Sequence, residues 1–278
     1  MKLRKNGVAI IAMVVFLAGC SGMQLDHTAN WNAHQLYQAG KTEMESSSYT
    51  TAIDYFTKLL ARYPYGVLAQ QSMLDIAYSY YRAGEAEKAL AQLDSFSKTY
   101  PQHPYIDYAL YMKGVVEYEK NISFFKRLLP TDLSQTDPTP LKNAFDLFAQ
   151  LVERFPQSEY AEDARYRMIF LHNLLGKHDL EIADFYLRKG DFVAAAARAK
   201  NILEHYETTP SAPYALAIMI RAYRELGQKL LADDAMRVFN MNYVDSLESP
   251  EIKRYLQGNI HKQANFFDRM RGSSIKKL

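Results

Sequence analysis

A small residue followed by two larger apolar ones and a proline recurs in one phase along this chain, and nothing else in the sequence limits the fold as much. Ala52, Phe56, Leu59 and Pro64 are spaced 4, 3 and 5; Ala89, Leu93, Phe96 and Pro101 repeat that spacing, and so do Ala144, Phe148, Leu151 and Pro156. Ala195, Ala199 and Ile202 give the same offsets with a later Pro210, and Ala232, Met236 and Phe239 give them a fifth time. Positions i, i+4 and i+7 share one face of an α-helix. Each set therefore predicts an amphipathic helix whose Ala lets a neighbour come close while the larger residues fill the space beside it. Most prolines fall between or at the start of the periodic segments, where they stop or open helices. No stretch alternates like a strand for long enough to compete.

Each of these helices follows another. Leu36, Ala39 and Gly40 lie ahead of the first; Met73, Ala77 and Tyr80 ahead of the second; Tyr111 and Gly114 ahead of the third. Close helix approach accounts for the two glycines inside helical segments, whereas Gly84 and Gly190 sit five residues before Ala89 and Ala195, in turns. The predicted spans are 32–46 with 49–62, 67–82 with 85–99, 104–120 with 141–154, 159–189 with 191–206, and 211–226 with 229–241. The chain is thus expected to be all-α, its domain 32–241 consisting of about five helical pairs: 32–62, 67–99, 104–154, 159–206 and 211–241. Gly176 predicts a weak point in the long fourth-pair helix, or a division into 159–174 and 178–189. The connection 121–140 is long. The segment 242–278 reads as a basic extension, with seven Lys/Arg against Asp245, Glu248, Glu251 and Asp268.

The N-terminus reads as an export signal. Lys2, Arg4 and Lys5 precede an apolar run from Gly7 to Ala18, too short for the roughly 20 residues of a membrane-spanning helix and suited to a cleaved signal peptide, 1–19. Leu17-Ala18-Gly19-Cys20 follows, and Cys20 is the one cysteine of 278 residues. This motif resembles the lipobox of bacterial lipoproteins. The resemblance implies a mature chain starting at Cys20, with covalent N-acyl and S-diacylglycerol lipid on that residue, a tether over 20–31, and, with Ser21 next, export to the outer membrane. With more than one acyl chain such an anchor is lasting. Loss of the signal takes the formal charge from +2 to −1, which argues against nucleic-acid binding through neutralised phosphates. A lone cysteine excludes an internal disulfide, so burial must stabilise the fold.

The pattern of Gly, Ala, large apolar residue and Pro resembles the tetratricopeptide repeat, which implies a superhelix of paired helices whose first helices line its inner surface. More specifically, the lipobox together with Tyr63-Pro64-Tyr65-Gly66, Ala77-Tyr78-Ser79-Tyr80-Tyr81, His103-Pro104-Tyr105-Ile106-Asp107-Tyr108, Tyr111-Met112-Lys113-Gly114, Asp137-Pro138, Arg154-Phe155-Pro156-Gln157-Ser158-Glu159-Tyr160 and Ala183-Asp184-Phe185-Tyr186-Leu187-Arg188-Lys189-Gly190 is similar to the BamD family of outer-membrane assembly lipoproteins. That resemblance implies a non-enzymatic subunit on the periplasmic face of the cell outer membrane, anchored in the inner leaflet by its lipid. Its implied partners are the periplasmic domain of a BamA-like barrel subunit, other assembly-machinery lipoproteins, and the C-terminal segments of unfolded outer-membrane proteins. Arg198, beside the small Ala194 and Ala197, matches the family's arginine for partner docking.

Tyrosines outnumber phenylalanines 21 to 14, and a Tyr ring offers rigid apolar contact with one hydroxyl at low entropic cost. Tyr63, Tyr65, Tyr78, Tyr81, Tyr105 and Tyr108 form the candidate substrate groove, with Lys58 and Arg62 either meeting a substrate carboxylate or simply solvated. No metal site or catalytic set emerges: the seven histidines are scattered, and His-Glu-x-x-His and glycine-rich phosphate loops are absent. The alternative function is a periplasmic repeat scaffold for peptidoglycan or division factors.

Overall fold

The computed structural model describes the backbone of residues 26–128 and 137–257, and their side chains outside 121–128. The predicted signal 1–19, Cys20, the tether as far as residue 25, residues 129–136 and the tail from 258 lie outside the described residues. Among the described residues the regular elements are all helical: α1 (Ala33–Glu45), α2 (Tyr49–Arg62), α3 (Val67–Arg82), α4 (Ala86–Thr99), α5 (Ile106–Leu128), α6 (Thr139–Arg154), α7 (Ala161–Lys189), α8 (Phe192–His205), α9 (Ala212–Glu225), α10 (Lys229–Asn242), a 3₁₀ turn (Val244–Glu248) and α11 (Pro250–Gln257). The chain divides into two compact units, one ending at Ile76 and one starting at Ala77, the division falling inside α3.

In the first unit α1 opens on a reciprocal cap: the Asn32 side chain accepts from the Gln35 N–H, and the Gln35 side chain accepts from the Asn32 N–H. The α1–α2 contact explains Gly40. A Cβ there would lie 2.5 Å from the ring of Phe56, which is fully buried with Ala52 and Leu59. Asp75 on α3 is also buried, 3.4 Å from the Lys41 ammonium and bonded by the Tyr37 hydroxyl; burial raises its pKa and outweighs the pull of Lys41.

In the second unit each helix packs on its predecessor from α5 to α10, and α9 also lies against α7. The alanine phase is reproduced: Ala89, Phe96, Ala144, Phe148, Leu151, Ala195, Ala199, Ile202 and Phe239 are fully buried. Gly114 stands to Phe148 as Gly40 does to Phe56, with a hypothetical Cβ 2.6 Å from the ring. Gly84 and Gly190 take the left-handed conformation at φ 80° and 81° where helices end.

Three expectations change. Helix α7 runs unbroken through Gly176, which is buried and whose missing Cβ makes room for Thr209 and Tyr206; the glycine serves packing and does not interrupt the helix. Helix α5 continues to Leu128 instead of stopping near 120, because no proline or glycine stands between Gly114 and Pro130. The segment after 242 is not wholly an extension: α11 buries Ile252 and Tyr255 in the cluster that holds Leu216 and Ile220.

Candidate functional site

In the first unit, Tyr63 caps α2 and its hydroxyl donates to the Trp31 carbonyl at 3.0 Å. The cap has a wider origin. Tyr63, Tyr100, Phe155, Tyr206 and Tyr243 stand eleven residues after Ala52, Ala89, Ala144, Ala195 and Ala232, each at the C-cap with φ between −130° and −136° and its N–H given to the apolar residue four before. The +7 and +11 rings meet where both are aromatic, at 5.7 Å for Phe96–Tyr100 and 6.0 Å for Phe239–Tyr243. This aromatic belongs to the repeat itself, at a fixed offset that the sequence carries. Tyr65 is different: it is 89% exposed in the turn after α2.

Lys58 and Arg62 are not simply solvated. Arg62 donates to the Thr28 carbonyl and to Asp26, with a further bond to Thr28 Oγ1 at 3.1 Å, while Lys58 pairs with Asp54 at 2.7 Å and Asp26 at 3.7 Å. The two cations fasten residues 26–28 to α2, and Trp31 stacks on Tyr55 beside them, 5.9 Å apart and nearly parallel. Side-chain and backbone hydrogen bonds from Thr28, aided by Lys58 and Arg62, lower the Asp26 pKa from 3.8 to about 2. A folded-state pKa below the unfolded one means the stabilisation is complete above about 3.8 and is lost as pH falls through about 2. Fluorescence of Trp31, the one tryptophan, should therefore change between those values in an acid titration. Asp26→Asn should abolish that step; a step of the same midpoint in the variant would assign it elsewhere.

The second unit carries the other four tyrosines. Tyr78 accepts from Arg82 Nη1 at 2.7 Å, and its ring lies 6.3 Å from that of Tyr81, whose hydroxyl pKa is raised by burial and by Glu119. Tyr105 is 52% exposed and Tyr108 packs 5.6 Å from Tyr160. The structure adds aromatics that sequence reasoning missed. Tyr111 stacks on Tyr160 at 4.9 Å and donates to Asp163 at 2.7 Å. The Arg167 guanidinium, held by Asp163, lies 5.9 Å from the rings of Tyr111, Tyr118 and Phe148. Tyr166, Ile169 and Phe170 stay exposed on α7, with Phe170 edge-on to Tyr118. Their 3- and 4-residue spacing marks a helix face, but only the packing of α5 against α7 joins it to Tyr118.

Arg198 and Ala197 are exposed on α8, Ala194 is half-buried, and no hydrogen bond or ion pair holds Arg198 among the described residues. Ala195 and Ala199 face the core instead. Among the described residues no group of His, Cys, Asp or Glu is arranged to hold a metal ion, and no helix is long and apolar enough to cross a membrane.

Comparison with known proteins assigns the family. A family model described as outer membrane lipoprotein (YfiO) matches residues 29–238. The outer membrane protein assembly factor BamD of Neisseria meningitidis serogroup B is 41% identical over 79% of this chain and 82% of its own. The Vibrio cholerae protein of that name is 37% identical over 76% and 87%, and that of Haemophilus influenzae 32% identical over 85% and 90%. Among solved structures, MamA aligns over 81% of this chain and 94% of its own at 15% identity and a TM-score of 0.38. The chain belongs to the BamD family of lipid-anchored outer-membrane proteins.

Proposed function

We propose that this chain is a non-enzymatic lipoprotein subunit for assembling outer-membrane proteins, anchored through Cys20, which holds segments of unfolded barrel proteins and docks to the barrel subunit BamA and to accessory lipoproteins. The observation that carries this reading is the kinship with BamD assembly factors over most of both chains. Substrate segments ending in an aromatic side chain would meet Tyr63 and Tyr65 in the first unit, or Tyr78, Tyr81, Tyr105 and Tyr108 in the second, the latter set joined by Tyr111, Tyr166 and Phe170. Asp26 already engages Lys58 and Arg62, so a substrate carboxylate would have to compete with it there.

For docking, an exposed Arg198 between small side chains leaves room for a partner's carboxylate and backbone. Titrating the barrel subunit's periplasmic domains against wild type and Arg198→Glu tests the reading. At least a tenfold loss of affinity, about 1.4 kcal/mol, is expected. The melting curve should be unchanged, because a surface substitution of this kind costs less than about 0.5 kcal/mol. Equal affinities would remove Arg198 from the interface. Failure of a mild-detergent pull-down of the lipidated protein to recover a barrel protein with periplasmic domains would overturn the function itself.

A further inference from the structure

Helix α11 closes the stack over α9 without following the path of a further repeat helix. A helix continuing the stack would lie on α9 and α10, much as α9 lies on α7 and α8. Instead α11 packs on α9 and reaches back to α7: the Tyr255 hydroxyl donates to Asp184 at 2.8 Å, and Arg224 of α9 donates to the Leu256 carbonyl at 2.8 Å. Two side chains three residues apart, Ile252 and Tyr255, are its buried anchors. An open groove of about 680 Å³ continues beside it, between α11 and the Leu180, Phe185 and Tyr186 side of α7, and Phe185 is half-exposed there. All of α11 lies beyond residue 238, where the match to the family model ends.

From this geometry we infer that the face of α7 and α9 is a receptor for a short amphipathic segment carrying an aliphatic residue and, three positions on, an aromatic one. Helix α11 is the chain's own occupant, displaceable by an outside polypeptide of the same pattern. Of the residues of α11 only Ile252 and Tyr255 are buried, so its hold on the seat rests on two side chains and on the bonds to Asp184 and Arg224. Its short connection to α10 keeps it at high effective concentration near the seat. An outside segment therefore competes best when it is longer and fills the open groove as well as the seat.

The test uses full-length protein and a fluorescein-labelled peptide of sequence 250–257, read by anisotropy. Ile252→Ala/Tyr255→Ala removes both anchors of the internal copy without touching the seat. The double variant should bind the peptide at least tenfold more tightly than wild type, and a peptide with both anchor positions changed to alanine should not bind. Equal affinities for wild type and variant, or no binding to the variant at millimolar peptide, overturns the inference. If the double variant loses its cooperative melting transition, Tyr255→Phe decides: it keeps the ring and loses the bond to Asp184. An affinity gain of at least about threefold supports the inference, and no gain overturns it. The probe is the chain's own segment, so the outcome is independent of whether the protein handles barrel substrates.

Discussion

Ala89→Trp should lower the melting temperature by at least roughly 6–12 °C, at about 2–4 °C per kcal/mol for a chain of this size. Ala89 has no exposed surface and shares its face of α4 with Leu93 and Phe96, both also buried. Overpacking a well-filled core by a few methylenes costs about 1–3 kcal/mol, and an indole adds far more volume than that. Ala91, two residues on, is exposed, so Ala91→Trp should change stability by less than about 0.5 kcal/mol. Circular dichroism on heating compares the two directly. Superimposable curves for Ala89→Trp and wild type would mean that the repeat phase is misassigned.

The second large effect is a coupling. Gly114→Ala puts a methyl carbon 2.6 to 2.9 Å from three atoms of the Phe148 ring, and Phe148 is itself fully buried and has nowhere to swing. A loss of about 1–3 kcal/mol is expected for the single substitution. Phe148→Leu alone also destabilises, by leaving part of the ring volume empty. Together they should cost less than their sum by about 0.5–3 kcal/mol, because the shorter side chain vacates the space the new methyl needs. Gly40 and Phe56 provide an independent copy of the same contact, at 2.5 Å, and should show a coupling of the same sign. Strict additivity in both pairs, measured by denaturant unfolding, would refute the idea that these glycines exist to admit the rings.

Both results rest on features readable before any coordinates. The face formed by Ala52, Phe56 and Leu59 is written within eight residues, and helix geometry alone turns that spacing into a stripe. The glycines at 40 and 114 were legible for the same reason, since a helix tolerates a glycine at a cost and packing is the usual compensation. The C-cap aromatics at 63, 100, 155, 206 and 243 were equally regular; their fixed offset from the alanine was there to be counted.

Other features had no such local code. Gly176 weakens a helix by propensity, yet α7 runs through it because Tyr206 and Thr209 pack into the space that a side chain would have filled. Lys58 and Arg62 looked like free cations until Asp26 and Thr28, more than thirty residues earlier in the chain, came to lie against α2. Arg167 reads as an ordinary helix arginine; the packing of α5 and α6 against α7 surrounds it with the rings of Tyr111, Tyr118 and Phe148.

The sequence by itself determined the helical class and the buried face of each repeat helix, since each depends on residues within a few turns of one another. Only the tertiary structure decided which cations are already engaged, where the aromatic rings gather, and that α11 turns back to α7. Tyr255 meets Asp184 across 71 positions of chain. A contact at that separation follows from how whole helices pack and from which polar groups must find partners once buried, and no periodicity along the chain records it.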